Sequence, residues 1–345
     1  MKTKSIKLAL FSICILILTL FVVGCGGGDN TSSKNSDQVN TDEQQEKITL
    51  KLVSAWSENN TMNDAMWMLV EKVKEKSNGN IILEWGGGPE AIPPFELGEA
   101  LRSGVVDVAW MAHTYNVAGI PVLEGAKLSQ LTPAEERSSG AFDFYNQLYE
   151  ENLNAYYLGL GTPNLKFNLY TTVPIQSLED FKGLTIRVTP AYSAFVQELG
   201  AAPVTTDPGE VYTALERKMI EGYGWPSVGI IDFGWDEVTK NVIEPSFYQV
   251  DVVGLVNLDT WNGLSGDIKN ILGDAMKEVE VEAAQHFQDM IAKEQKDLEQ
   301  KGVEVLQLPE QDAKQYLEKA YEAAWDKVSE SAPGKASELK QLITK

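Results

Sequence analysis

The stretch Ser177–Pro226, SLEDFKGLTIRVTPAYSAFVQELGAAPVTTDPGEVYTALERKMIEGYGWP, decides how the chain is built. Within it Leu184–Val188 is a short apolar, β-branched run that reads as a buried strand carrying a single cation, Arg187. Helical patterns over Tyr192–Leu199 and Pro208–Met219 follow, and each returns to a short apolar or aromatic segment. That rhythm predicts an α/β fold. An arginine is almost never fully buried without a partner, and its planar fork suits a carboxylate held by two hydrogen bonds. The partner is either an internal Asp or Glu or a carboxylate ligand, and the residues alone leave both open.

Upstream, Ile48–Val53, a helix built on Met62, Ala65, Met66, Leu69, Val70 and Val73, then Ile81–Trp85, a short helix over Phe95–Arg102 and Val105–Trp110 alternate as strand, helix, strand, helix, strand. Alternation of this kind places the strands side by side in a parallel sheet. Thr132-Pro133-Ala134-Glu135 is a capping box with proline at the first helical position and opens a helix expected to reach about Asn152. Tyr156–Leu160 and Phe167–Thr171 read as strands, as does the whole of Phe247–Asn257. A proline-free run from about Ser265 to Glu299 predicts one helix roughly 50 Å long at 1.5 Å per residue. Val303–Leu308, a helix from Pro309 to about Ser331 and a short tail finish the chain.

The N-terminus is set apart from the fold. Lys2, Lys4 and Lys7 precede the apolar run Leu8–Val23, and Val22-Val23-Gly24-Cys25 fits a lipobox in which the Cys25 thiol takes a lipid. An ordinary leader or anchor with a chance cysteine is the alternative, and a lipoprotein is the expectation. Gly26–Glu46 is polar, lacks aromatics and reads as a flexible tether reaching about 25 Å. Only Cys14 and Cys25 are present, and Cys14 lies inside the leader, so no disulfide is expected. Loss of the leader takes the formal net charge from −21 to −24, which excludes a basic nucleic-acid footprint. A local arginine in a dry cleft still outweighs distant, screened carboxylates.

Motifs for chemistry are sparse. Gly86–Gly88 lacks the lysine of a P-loop, and Gly159-Leu160-Gly161 lacks the third glycine of a dinucleotide fingerprint. His113 and His286 are the only histidines, no G-x-S-x-G elbow occurs, and neither metal nor cofactor is expected. Aromatic residues with a polar handle are the better signal: Trp56, Trp110 and Trp225 are placed after strands, where α/β proteins bind ligands.

The runs S-L-E-D-F-K-G-L-T-I-R-V, L-G-A-A-P-V, G-E-V-Y-T-A-L and E-G-Y-G-W-P, in this order, resemble the signature of TRAP-transporter solute-binding proteins of the DctP family. The resemblance covers everything after the tether. It implies a two-domain, periplasmic-binding-protein-like (type II-like) α/β fold with hinge strands and a long helix spanning both domains. The expected division is leader 1–24, lipidated Cys25 and tether 25–46, one domain from 47–169 plus 253–291, and a second from 170–252 plus 292–345. It implies no enzyme activity but extracytoplasmic capture of a small organic acid for the membrane subunits of a TRAP transporter, with lipid anchoring. A binding lipoprotein of an ABC importer or sensor kinase, or an extracytoplasmic enzyme, are the alternatives. Arg187 is the residue implied to grip the carboxylate. Trp225, Trp110 and Trp56 are expected to enclose the apolar body, and His113, Tyr115, Thr206 and Lys166 to bond its other oxygens.

The chain departs from the family pattern in ways that bear on the ligand. Trp225 stands where the best-known branches have asparagine, and Lys166-Phe167-Asn168 where the sialic-acid branch has a second arginine. Ala112 and Tyr115 replace that branch's Glu and Arg. The cleft is therefore expected to be less polar and to suit 2-oxo or 2-hydroxy monocarboxylates. The glutamate that joins a metal in the 2-oxo-acid branch is here Gly224, which puts a bridging metal in doubt.

Overall fold

The computed structural model describes residues 47–345; the leader, Cys25 and the tether lie outside the described residues. β1 (Ile48–Ser54), α1 (Asp64–Lys76), β2 (Ile81–Trp85), α2 (Leu97–Arg102) and β3 (Val108–Ala112) alternate, and β1 pairs in parallel with both β2 and β3. The expected parallel arrangement is therefore present. β3 begins and ends later than its predicted span, because Val105 is still an exposed turn residue. Trp110 consequently sits in mid-strand rather than at the strand end.

The predicted helix after Thr132 is two helices, α3 (Pro133–Ser139) and α4 (Ala141–Leu153), broken at Gly140, whose φ of 92° is open to glycine but strained for other residues. The capping box itself is formed, with Thr132 and Glu135 bonding reciprocally. β4 (Ala155–Leu160) completes one edge of the first sheet and β5 (Lys166–Thr171) enters the second. β6 (Thr185–Val188), α5 (Ser193–Glu198), β7 (Ala202–Thr205), α6 (Pro208–Glu216) and β8 (Gly222–Pro226) give the α/β rhythm of the central stretch. β6 is parallel to both β7 and β8.

Phe247–Asn257 is not one strand. β9 (Asn241–Gln249) belongs to the second sheet and β10 (Val252–Asn257) to the first. Val250, Asp251 and Val252 are all buried, so the in-and-out alternation of a half-buried strand is absent across the break. α7 (Leu258–Gly263), α8 (Gly266–Gln300), β11 (Glu304–Gln307), α9 (Glu310–Ser331) and α10 (Pro333–Ile343) follow, the last where a short tail was expected. The first sheet runs β2-β1-β3-β10-β4 and the second β11-β9-β5-β8-β6-β7.

α8 has 35 residues and a rise of about 50 Å. Its Leu272, Met276, Val279, Ala283 and Phe287 pack with Leu52, Leu69 and Val108 of the first sheet's core, whereas Leu298 packs with Val242 and Val303 beside the second. One helix thus braces both sheets.

The chain changes sheet three times, at 161–165, at 250–251 and through α8 on the way to β11, and the first two crossings are bonded to each other. Thr162 Oγ1 donates to the Val250 carbonyl at 2.7 Å and accepts from the Val252 N–H at 3.1 Å. The Gly161 N–H meets the Val252 carbonyl at 2.7 Å, and the Val250 N–H the Leu165 carbonyl at 2.8 Å. Backbone groups that leave a ladder must find such partners when buried. Among the described residues no helix is long and apolar enough to cross a membrane.

Candidate functional site

Arg187 lies in β6 between Val204 of β7 and Tyr223 of β8, and only 2 % of it is exposed. Its Nε and Nη2 donate to the Thr206 carbonyl at 3.1 and 3.0 Å. Nη1 makes two long contacts, 3.4 Å to the Gly224 carbonyl and 3.5 Å to the Tyr192 hydroxyl. Every one of these acceptors is neutral. Among the described residues no carboxylate comes within 4.0 Å of the guanidinium, so the internal ion pair left open by the sequence is not formed. A buried cation of five donors is held in place without being neutralised.

Two further polar atoms beside it are sealed from solvent and have no partner, Thr206 Oγ1 and Trp225 Nε1. Buried orphans of this kind are uncommon in folded proteins. The Trp225 ring stands 5.7 Å from Arg187 Cζ, close enough for cation–π attraction, and is fixed by edge contacts with Phe233 and Trp235.

From the first sheet, Tyr115 approaches the same place. It sits in the turn His113–Asn116 after β3, with its ring against Trp56 at 5.9 Å and Phe95 at 4.9 Å. Burial pushes its hydroxyl pKa above the usual range, Asp251 raises it further, and Arg187 opposes both. Tyr115 is thus within electrostatic reach of Arg187 across the two sheets. Arg187, Thr206 and Trp225 are in contact, and Tyr115, in ring contact with Trp56, lies within electrostatic reach of Arg187.

Three expected site residues stand elsewhere. Trp110 is fully buried, donates its indole N–H to the Met62 carbonyl at 2.9 Å and packs over Gly161 and Gly254. It has no surface left for a ligand, because β3 continues past it. His113 turns into the first sheet's aromatic core among Tyr145, Tyr149 and Tyr157, bonded to the Tyr149 hydroxyl at 2.8 Å. Burial pushes its pKa down to about 3, so it is neutral at ordinary pH. Lys166 is exposed at the start of β5 and contributes only its carbonyl, to Ser227.

The sequence reading missed Tyr192. Tyr192, five residues beyond Arg187, donates to the Gly224 carbonyl at 2.8 Å and receives Arg187 Nη1. A Cβ on Gly224 would lie 2.4 Å from the Tyr192 ring, so the missing side chain at 224 is what admits this tyrosine. The P-A-Y run after the arginine strand was the available signal. A surface hollow of about 460 Å³ near α2 is lined by Glu96 and Glu99 and no cation, so it is no rival for an anionic ligand.

Two sheets bridged by paired crossings and one long helix give the fold of a two-domain solute-binding protein. The profile "Bacterial extracellular solute-binding protein, family 7" (DctP) matches residues 52–331, and the chain belongs to that family. It is 24% identical over 223 residues to a monocarboxylate 2-oxoacid-binding periplasmic protein of Nostoc sp., covering 61% of this chain and 60% of that one. It is 26% identical to the sialic acid-binding periplasmic protein SiaP of Vibrio cholerae, covering 67% of this chain and 74% of that one. Among solved structures, a TRAP periplasmic solute-binding protein of Marinobacter aquaeolei, apo and open, superposes with a TM-score of 0.76 at 21% identity, covering 86% of this chain and all of that one. A marine metagenome TRAP protein specific for pyroglutamate does so with 0.72 at 19% identity, covering 86% and 99%. At those identities the structures share the fold.

Proposed function

We propose that this chain is an extracytoplasmic receptor that captures a small organic acid, a monocarboxylate such as a 2-oxo or 2-hydroxy acid, between its two sheets. It delivers that acid to the membrane subunits of a TRAP-type transporter and is held at the membrane by a lipid on Cys25. The first sheet, β1 to β4 with β10, and the second, β5 to β9 with β11, act as two lobes that close on the ligand. The boundaries expected at 169 and 252 fall inside β5 and β10 and move to the crossings at 161–165 and 250–251. Arg187 binds the carboxylate, Thr206 Oγ1 donates to it, and Trp225 and Trp56 cover the apolar body.

The observation that carries this reading is a buried guanidinium with no counter-charge, flanked by two polar atoms with no partner. A carboxylate supplies the missing charge and acceptors together. Several relatives are named for carboxylates, a 2-oxoacid, a sialic acid and pyroglutamate, which supports this reading, although one solved neighbour holds sn-glycerol-3-phosphate, an anion without a carboxylate.

The test is a thermal-shift screen on residues 47–345, unfolded and refolded to strip carried-over ligand. The panel sets monocarboxylates against dicarboxylates, sugar acids and neutral sugars. A ligand at a hundred times its Kd adds about 2.7 kcal/mol, which is easily seen. Stabilisation by monocarboxylates, lost in Arg187→Ala, is the expected result. Stabilisation by neutral sugars alone overturns the assignment.

A further inference from the structure

The segment 227–234 follows β8 and is held from three sides. Toward the second sheet, Ser227 Oγ donates to the Lys166 carbonyl at 2.8 Å, and Phe233 stacks on Trp235 with ring centroids 4.8 Å apart. From α8, the Glu294 carboxylate accepts the N–H groups of Gly229 and Ile230 at 2.7 and 3.0 Å. From the first sheet's side, Thr61 donates its hydroxyl to Asp232 Oδ2 at 3.0 Å. Thr61 lies in the turn between β1 and α1, and Asp232 in the loop after β8. Each loop leaves the carboxyl end of its strand, one in either sheet, so this bond ties the two lobes directly to each other across 171 residues of chain.

Both ends of the bond are preset. Asn60 Oδ1 caps the Met62 N–H at 3.0 Å, and Asn63 donates to the Ser57 carbonyl at 2.8 Å, which fixes the turn on either side of Thr61. Glu294 fixes the backbone two residues before Asp232. Groups already in position pay little ordering cost when they meet. Thr61 is nearly buried whereas Asp232 is exposed, so the acceptor can part from its donor into water. The same segment backs Trp225, which stands beside Arg187 and has its indole nitrogen 3.5 Å from the place a Cβ on Gly229 would take.

Resting on the carboxylate-receptor reading above, we infer that Thr61 and Asp232 form a latch: they touch no part of the acid, but join when the lobes meet and slow its release. Both are positioning residues. Contacts made after the first encounter act on koff more than on kon. A hydrogen bond of ordinary strength corresponds to about fivefold in rate. Because the latch reads no group of the ligand, it acts on every bound acid by the same factor.

The experiment follows tryptophan fluorescence of the full-length protein in a stopped-flow cell, with 2-oxobutyrate and 2-hydroxybutyrate and then the other acids of the thermal-shift panel. Thr61→Val removes the donor at nearly constant shape, Asp232→Ala removes the acceptor, and Thr61→Ser keeps the hydroxyl. Thr61→Val and Asp232→Ala should each raise koff about fivefold, with kon within twofold of wild type and the same factor for each acid. The double variant should release no faster than either single one, since the same bond is lost only once. Thr61→Ser should release as wild type does. A purely structural role would lower stability without this division between the rates. Release within twofold of wild type in Asp232→Ala, an exposed position where folding is not at stake, overturns the inference while Arg187-dependent binding stands. Effects that multiply in the double variant overturn it as well. Failure of every acid in the panel to bind in an Arg187-dependent way is a different result, and sinks the receptor reading and the latch with it.

Discussion

The backbone carbonyl of Thr206 accepts two hydrogen bonds from Arg187, one from Nε at 3.1 Å and one from Nη2 at 3.0 Å. A carbonyl can orient a guanidinium through such bonds, yet it contributes a dipole in place of a charge. The second anchor, the Gly224 carbonyl, is also neutral and is itself pinned by the Tyr192 hydroxyl. The arginine is therefore aimed by neutral groups and its charge is left uncompensated, as the proposed binding of a carboxylate requires. Preorganisation of this kind lowers the ordering cost of binding.

Arg187→Met separates the two roles of that side chain. Replacing an unpaired buried charge by an apolar chain of similar length is often neutral or stabilising. The apo variant should unfold within about 1 kcal/mol of wild type in urea, while any carboxylate-dependent stabilisation falls by about 3 kcal/mol or more. A large apo destabilisation with ligand response intact would mean that the arginine serves the fold.

Gly224→Ala tests the close approach of Tyr192. The added Cβ would sit 2.4 Å from a ring that is itself fully buried against Phe167 and Phe247. Overpacking of this kind costs about 1–3 kcal/mol. Because the displaced tyrosine and glycine hold Arg187 Nη1, affinity should drop along with the melting temperature. A variant as stable and as tight as wild type would show that the contact relaxes freely.

The paired crossings predict an effect of Thr162→Val, a nearly isosteric change at a residue with no exposure. It leaves the Val250 carbonyl and the Val252 N–H without their shared hydroxyl. The Val250 carbonyl keeps Gln249 Nε2 at 3.1 Å, so the loss falls mainly on the Val252 N–H and should cost about 1–3 kcal/mol in a denaturant titration. A loss under about 0.5 kcal/mol would mean that these groups re-pair elsewhere.

Much of the fold was legible because strand and helix periods differ, and Ile81–Trp85 and the long helix fall where their patterns put them. Arg187, Trp225 and Thr206 were legible as a charge, a ring and a hydroxyl in an α/β segment that ends at strand termini. Trp110 and His113 were misplaced for one reason: β3 runs beyond Trp110, and a shift along a strand changes which residues clear its end. The break at Asp251 was hidden because a buried segment that switches sheets has the same composition as a single buried strand. Tyr192 was hidden because its role depends on an absent side chain at 224, and sequence periodicity carries no signal for an absence.

Glu136 gives the fold a pH dependence of known sign. It is 4 % exposed, accepts from Ser129 Oγ at 2.6 Å, and burial pushes its pKa up from 4.5 to about 7, with Glu280 adding to the shift. A carboxyl whose folded pKa lies above its unfolded one binds its proton more tightly when folded. Its contribution is complete below about pH 4.5 and is lost as pH rises through 7. Asp251, raised to about 6 by burial, acts in the same direction. Glu136→Gln keeps an oxygen for Ser129 and removes the titration. The variant should match wild type at pH 5 and exceed its stability at pH 8 by about 2–3 kcal/mol, read from paired urea titrations. Parallel wild-type and variant curves across that range would mean that Glu136 is ionised in the fold at pH 5 and that water or Arg137 offsets its burial.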